Sequence, residues 1–570
     1  MKPYSTITLG SIVASSLLSA LLGTRPVNAL PAISRVGRYL YDESGTRFFI
    51  KGVAYQEQGT ISDQSEEGQA NGGFPEPSSY VDPLADASAC RRDLPYLQQL
   101  GVNAVRIYSV NASLDHSECM SLFEGAGIYT IIDLSLPQNG SINRASPAWT
   151  TNLLDLYTTT IEVFNQYDNV LAYNIGNEVV TLSSNTDTAP FIKAAARDTK
   201  AFIKSINSTA LVGYSSTDGD NEWRNPLATY LSCASDETSI DLYGLNNYRW
   251  CGGQTYNSSG WSTTTQLYQN LTIPAYFSEY GCNSVRPRIW DETPALYQAP
   301  ATDVWSGGVA FSYFPDSQNY GLITLSNDNT SVVVSTEFTN LAARLSNITT
   351  SSTPTRASVS NAQAPACPTG ISGFDASINL PNTPDESVCN CLEQSAFPCV
   401  RTDTAARLPT VVGALLDYGC SLLGSTDPGG ASCDNIGANG TSGSYGEISF
   451  CSPDIKLSYV FSAYYVAQGF DAQACSFAGN ATRNANAPTS ANAASNAAQS
   501  CLARRQSDGV FTPTVASTTT ISATRSSTSA ASATASSSGG GRLNEASRFG
   551  IVGWLSVGLL SVLAGGTFVI

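Results

Sequence analysis

A single histidine, His116, occurs in 570 residues, and charged residues make up only 13% of the chain, against about 25% in an average soluble protein. One histidine leaves a Ser-His-Asp or Cys-His arrangement with a single possible base, and it denies a metal site its commonest nitrogen ligand. His116 lies between Asp115 and the nearby Cys119 and reads as a loop residue. The cysteines show no paired C-x-x-C spacing, which speaks against structural zinc. Basic runs are missing too, and with a net charge of -17 most of the surface would repel a phosphate backbone, so nucleic acid is excluded as a partner. No Gly-rich phosphate loop follows the first apolar run, which argues against a nucleotide-binding open sheet. Neither metal nor cofactor is expected.

In place of charge the chain is rich in Ser, Thr, Asn and Gly, a composition that suits an extracellular glycoprotein. Lys2, an apolar stretch from Ile7 to Gly23 and the small residues of Val27-Asn28-Ala29 have the layout of a signal peptide over residues 1–29. Fourteen cysteines, an even number on a secretory route, allow up to seven disulfides. Nine Asn-x-Ser/Thr sequons, at Asn111, Asn139, Asn207, Asn257, Asn270, Asn329, Asn347, Asn439 and Asn480, agree with that route. At the other end, FGIVGWLSVGLLSVLAGGTFVI has no charge after it, and SSSGGGRLNEASR precedes it. Small residues, a short polar spacer and an apolar tail form a glycolipid-anchor signal; attachment is expected at Gly541, within the stretch from Ser538, with Asn544 as the other site and 542–570 removed. The competing reading of that tail is a transmembrane helix.

Eight near-continuous apolar runs recur between residues 48 and 314: FFIKGVAYQ, GVNAVRIYS, GIYTIIDLS, VLAYNIGNEV, LVGYSST, IDLYGLNNY, IPAYFSEYG and VWSGGVAFSYF. Runs of this kind mark strands buried on both faces, and helix-length gaps between them predict a (β/α)8 barrel over residues 30–345 rather than an open doubly wound sheet. A Ser/Thr/Pro linker follows at 346–366. Nine cysteines fall between Cys367 and Cys501, predicting a small disulfide-rich module over 367–505; a Ser/Thr-rich stalk runs from 506 to 541.

Chemistry in such a barrel gathers at the carboxyl ends of the strands, so polar residues there require a reason. The fourth run ends in Asn177-Glu178 and the seventh carries Glu279 near its end. A half-buried carboxylate is costly unless paired or functional, and two of them facing across a barrel mouth meet the requirement for glycoside cleavage. One protonates the leaving oxygen while the other attacks the anomeric carbon or activates water.

These residues resemble the retaining (β/α)8 glycosidases and, more closely, the fungal β-1,3-glucanosyltransferases of glycoside hydrolase family 72. KGVAYQ, VNAVRIYS, IIDLS, YNIGNEV, VGYSSTD, YGLNNYRWCG, FSEYGC and TDVWSGGVAFSYF are similar to that family's motifs from about residue 33 to 345, and CNCLEQS at 389–395 resembles the start of a family 43 carbohydrate-binding module. The resemblance implies an enzyme that cuts inside a β-1,3-glucan and passes the new reducing end to another glucan chain. It implies Glu178 as acid/base, Glu279 as nucleophile, and Asn177, Tyr108, Tyr248, Asp133, Gln56, Asp218, Arg224 and Tyr313 as substrate-binding residues. The turn DGDNEWRN is one residue longer than the family's. The pairs Cys90–Cys119, Cys251–Cys282 and Cys233–Cys367 follow from the resemblance as well, leaving eight cysteines for the module. The expected partners are glucan donor and acceptor chains and, through the anchor, the outer face of the plasma membrane, with the protein a monomer. Two other functions fit the residues: an endo-β-1,3-glucanase that only hydrolyses, and a non-catalytic glucan-binding wall glycoprotein.

Overall fold

The eight apolar runs all become strands: β1 (Ile50–Ala54), β2 (Ala104–Ile107), β3 (Tyr129–Asp133), β4 (Val170–Asn177), β5 (Leu211–Thr217), β6 (Leu242–Asn247), β7 (Ala275–Tyr280) and β8 (Trp305–Ala310). They pair in parallel in chain order, and β8 closes onto β1, so the expected (β/α)8 barrel is the fold found. This computed structural model describes residues 30–57, 80–136, 140–406, 409–425 and 432–511, which fall in the compact unit Met1–Thr514. The leader at 1–29, the Asn139 sequon, the stalk beyond 511 with Gly541, and the apolar tail lie outside the described residues.

Both faces of each strand are buried, which is why the runs look continuous. Ile50, Ala104, Ile131, Ala172, Leu211, Leu242, Tyr276 and Val309 pack together in the barrel lumen. Their neighbours of opposite parity, such as Val105, Ile132, Tyr173, Val212, Tyr243 and Phe277, pack outward against the helices. The helices are α1 (Ala87–Leu100), α2 (Ser117–Gly125), α3 (Thr151–Phe164), α4 (Ala189–Ser205), α5 (Asn221–Ser232), α6 (Trp261–Tyr268), the short α7 (Glu292–Leu296) and α8 (Thr336–Ser346). α1 shows the local logic: Asp86 caps its start by accepting from the Ser88 and Ala89 amides, and Gly101, at φ 71°, ends it in a left-handed turn.

Beyond the barrel the chain 346–366 contains no strand and one short 3-10 turn, yet it is pinned along the barrel's amino-terminal side. Tyr41 Oη donates to the Pro354 carbonyl, Arg47 to that of Thr353, and the Ala234 amide to that of Pro365. The module is mostly helical: α9 (Glu386–Ser395), α10 (Pro409–Ser425), α11 (Pro453–Ala467) and α12 (Ala491–Leu502). Two small apolar clusters are its core, so the disulfides Cys389–Cys451, Cys391–Cys501, Cys399–Cys475 and Cys420–Cys433 carry much of its stability. Cys90–Cys119 and Cys251–Cys282 lie within the barrel, and Cys233–Cys367 joins it to the segment entering the module.

Barrel and module share a polar seam. Asp198 of α4, fully buried, accepts from Trp149 Nε1 (2.8 Å) and from Thr383 Oγ1 of the module side (2.6 Å), and pairs with Arg197. The Thr151 amide donates to the Phe450 carbonyl, and the rings of Phe191 and Tyr445 meet edge to face.

Candidate active site

Arg106 is the hub of the site, and its position follows from strand parity: on β2 it shares the lumen side with Ala104, while Val105 and Ile107 face the helices. A fully buried guanidinium must have its donors matched. Arg106 donates to both oxygens of Asp133 at the end of β3 (3.2 and 2.8 Å), to Glu279 Oε1 (3.1 Å), to Asn177 Oδ1 (2.9 Å) and to the Ser278 carbonyl (3.1 Å), and it lies against the ring of Tyr108 (4.3 Å).

Strict alternation would turn Asn177 and Glu279 outward, since Tyr173, Ile175 and Phe277 of the same parity face the helices. Both strands break the alternation at the same height. On β4 three steps, Asn174 to Asn177, match two on β5, Gly213 to Ser215; on β7 three steps, Tyr276 to Glu279, match two on β6, Gly244 to Asn246. One extra residue per strand is a bulge, and a bulge re-aims the side chains after it. Glu178, immediately after β4, has φ 50°, a left-handed conformation rare for a residue with a side chain. Its amide donates to the Ser215 carbonyl, and its own carbonyl accepts from Arg144.

The two carboxylates are connected through Asn246. Ser278 Oγ donates to Asn246 Oδ1 (2.7 Å), which turns the Asn246 amide nitrogen toward Glu178 Oε1 (2.8 Å) and Asn177 Oδ1 (3.1 Å). Asn177 Oδ1 thus accepts twice, so its own –NH2 points away from Arg106. Glu279 is met from above by two hydroxyls, Tyr108 Oη on Oε1 (2.9 Å) and Tyr248 Oη on Oε2 (2.7 Å). Burial pushes Glu279 up to about 7; Arg106 pulls it down, the charge of Glu178 adds to the rise, and the two tyrosine bonds favour the ionised form. Burial, opposed by Arg106 at Tyr108 and reinforced by Glu279 at both rings, holds the two tyrosines far above their ordinary range, so they remain donors.

The other expected site residues separate by their hydrogen bonds. Asp133 is 1% exposed and forms the floor beneath Arg106, with Asn174 donating to it (2.7 Å). Gln56 uses its amide on the backbone: Oε1 accepts from the Tyr108 and Ser109 amides, and Nε2 donates to the Glu57 and Val81 carbonyls. These bonds hold Tyr108 in place. Asp218 is bound by Arg224, Arg249 and Asn247, and Arg224, 1% exposed, is further held by Asn221 and Asn225. That pair braces the start of α5. Tyr313 is a correction: it is fully buried, donates to Asp93 and packs against Tyr55 and Phe314, because the chain after β8 turns it behind the barrel wall. His116 is also buried, pairing with Asp82 through Nε2 (2.8 Å) against the Phe164 ring.

Arg106 and Asn246, which sequence reasoning passed over, lie inside motifs it quoted. Their signal was a charge and an amide at lumen parity in otherwise apolar strands.

The profile of the family described as Glucanosyltransferase matches residues 24–349, and that of the X8 domain matches 397–482. The chain is 40% identical to the 1,3-beta-glucanosyltransferase gas1 of Schizosaccharomyces pombe over 82% of each chain, and 38% identical to 1,3-beta-glucanosyltransferase GAS2 of Saccharomyces cerevisiae over 78% of each. Among solved structures, a variant of Saccharomyces cerevisiae Gas2p in complex with laminaritetraose and laminaripentaose superposes with a TM-score of 0.70 at 34% identity, covering 83% of this chain and 98% of that one.

Proposed function

The chain belongs to the glucanosyltransferases of glycoside hydrolase family 72, with an X8 domain behind the barrel, and on that premise we propose that Glu178 and Glu279 divide a retaining transfer of β-1,3-glucan between them. Glu279 attacks the anomeric carbon and Glu178 protonates the departing oxygen, releasing the reducing-end fragment. Glu178 then takes the proton of an acceptor hydroxyl as that oxygen displaces Glu279, and the acceptor chain is lengthened. The observation that carries this reading is the unequal treatment of the two carboxylates. Glu279 receives Arg106 and two tyrosine hydroxyls, all of which favour its anion, while Glu178 receives one neutral amide. The –NH2 of Asn177 is turned to where a sugar 2-hydroxyl sits beside the nucleophile, and Tyr108 and Tyr248 offer ring faces to the pyranose.

Seven disulfides support an oxidising, extracellular setting, and attachment to the outer face of the plasma membrane at Gly541 is part of the proposal. Release of the protein from intact cells by a phosphoinositide-specific phospholipase C tests it; protein that stays on the cells counts against the anchor.

The activity is tested by incubating the secreted protein with a reduced laminari-oligosaccharide and sizing the products. Oligosaccharides longer than the substrate are expected; only shorter ones would make it a hydrolytic endoglucanase, and no change would leave a glucan-binding protein. Glu178→Gln and Glu279→Gln should each lower turnover by at least ~10²-fold, and unchanged turnover in either removes the assigned role.

A further inference from the structure

The aromatic side of the site does not stop at Tyr248. Phe311 lies edge to face against both Tyr108 and Tyr248 (6.2 Å each), and Tyr320 closes the row at 5.0 Å from Phe311 and 5.8 Å from Tyr248. Both added rings are half-buried, and both lie in the chain that follows β8, outside any strand. The Phe311 amide still donates to the Tyr280 carbonyl of β7 (2.9 Å) and the Tyr320 amide to Asp316 (2.8 Å), which leaves the carbonyls of Phe311 and Asn319 to be held from elsewhere.

Two arginines of the segment after β7 supply that contact. Arg288 lies 5.4 Å from the centre of the Tyr320 ring and donates to the carbonyls of Phe311 and Gly281. Arg286 donates to the carbonyl of Asn319, the residue before Tyr320. Both converge on one carboxylate of α8: Glu337 Oε1 accepts from Arg286 Nε (2.9 Å) and the Arg288 amide (3.0 Å), and Oε2 accepts from Arg288 Nε (2.7 Å). Glu337 and Arg288 are both nearly sealed from solvent, with 3% and 2% of their side chains exposed. A buried guanidinium is stable beside a carboxylate and costly without one. Through these two arginines the charge of Glu337 bears on the carbonyl side of the chain at Phe311 and Asn319 and on the ring of Tyr320.

We propose that Glu337 is a positioning residue for substrate binding: through Arg286 and Arg288 it holds Phe311 and Tyr320 against Tyr248, extending the aromatic wall of the site along which the apolar faces of the glucan chain pack. The inference rests on the reading of this site as a β-1,3-glucan groove. A carboxylate that merely fastened α8 to the barrel would affect stability alone. One that sets the wall affects sugar affinity, and it does so through Tyr320.

The test is a double-mutant cycle of Glu337→Gln and Tyr320→Ala in the full secreted chain, read as KM and kcat on reduced laminari-oligosaccharides together with Tm. Glu337→Gln is expected to raise KM roughly tenfold, the loss of about one stacking contact, with kcat within about threefold. On the Tyr320→Ala background Glu337→Gln should raise KM much less than tenfold, because only the placement of Phe311 is left to lose. An unchanged KM with a lower Tm overturns the proposal, and so do KM effects that multiply in the double variant. Should Glu337→Gln fail to fold, Arg286→Gln takes its place, since Arg286 is partly exposed and its loss leaves the buried pair intact. A KM rise of about threefold that disappears on the Tyr320→Ala background supports the proposal, and an unchanged KM overturns it. Wild-type protein that forms no elongated product would defeat the functional reading instead, so the two failures are distinguishable.

Discussion

At the scale of the residue, the charge state of Glu279 governs the site. Each hydroxyl bond to it favours the anion, so Tyr248→Phe should raise its pKa and move the acid limb of the kcat/KM profile to higher pH; a limb that stays in place would mean that this bond does not tune the nucleophile. Stability follows the same group with the opposite sense to an ordinary paired carboxylate. Folding lifts Glu279 from 4.5 to about 7, so between those values the folded state keeps a proton that the unfolded chain has released, and stability falls as pH rises through the window. Glu279→Gln removes that penalty. It should stabilise the protein by roughly 2–4 kcal/mol at pH 8 and bring no such gain at pH 4, measured by denaturant unfolding. Arg106→Lys keeps the charge but loses the fork that reaches Asp133, Glu279 and Asn177 together, and turnover should fall by roughly 10–100-fold with the fold retained.

At the scale of the element, two bulged strands and one disulfide set the site. Cys251–Cys282 ties the chain after β6, three residues past Tyr248, to the chain after β7, three residues past Glu279. The loop it closes spans 31 residues. Loop entropy for that length predicts a loss of about 3–4 kcal/mol in the Cys251→Ser/Cys282→Ser variant, measured by chemical denaturation, accompanied by a lower kcat as Tyr248 and Glu279 lose their common brace. The strands themselves were legible in the sequence, because burial on both faces removes the polar alternation that would have blurred them. The bulges were not. A single extra residue leaves composition and periodicity almost unchanged, and it is visible only as a register shift against the neighbouring strand. Motif positions therefore identify which residues sit at strand ends, but a motif does not say which way a side chain turns: Tyr313 is turned behind the barrel wall, while Gln56, Asp218 and Arg224 hold neighbouring protein groups.

At the scale of the whole molecule, the barrel and the module are linked by buried polar groups as well as by apolar packing. Asp198 serves Trp149, Arg197 and Thr383 at once, and the Phe511 ring returns to Phe202 on α4. Such a seam predicts one cooperative unfolding transition for the barrel and module together, observed as a single calorimetric peak. Asp198→Ala leaves Arg197 only the more distant Asp508 (3.8 Å) and should destabilise barrel and module together by roughly 3–5 kcal/mol, seen as that one peak moving to lower temperature; two separated peaks in the wild type would show that the seam does not couple them.

The sequence by itself determined the eight strands, the strand-end positions of Glu178 and Glu279 and the disulfide-rich character of the second half, because each is written in residue types at local spacing. Only the tertiary structure decided that Arg106, Asn246, Asn177 and both glutamates meet in one lumen, and that Glu337 braces the ring row from the far side. Those contacts join residues far apart in the chain, and their partners are chosen by strand register and by the need to match every buried charge and amide, which no local pattern records.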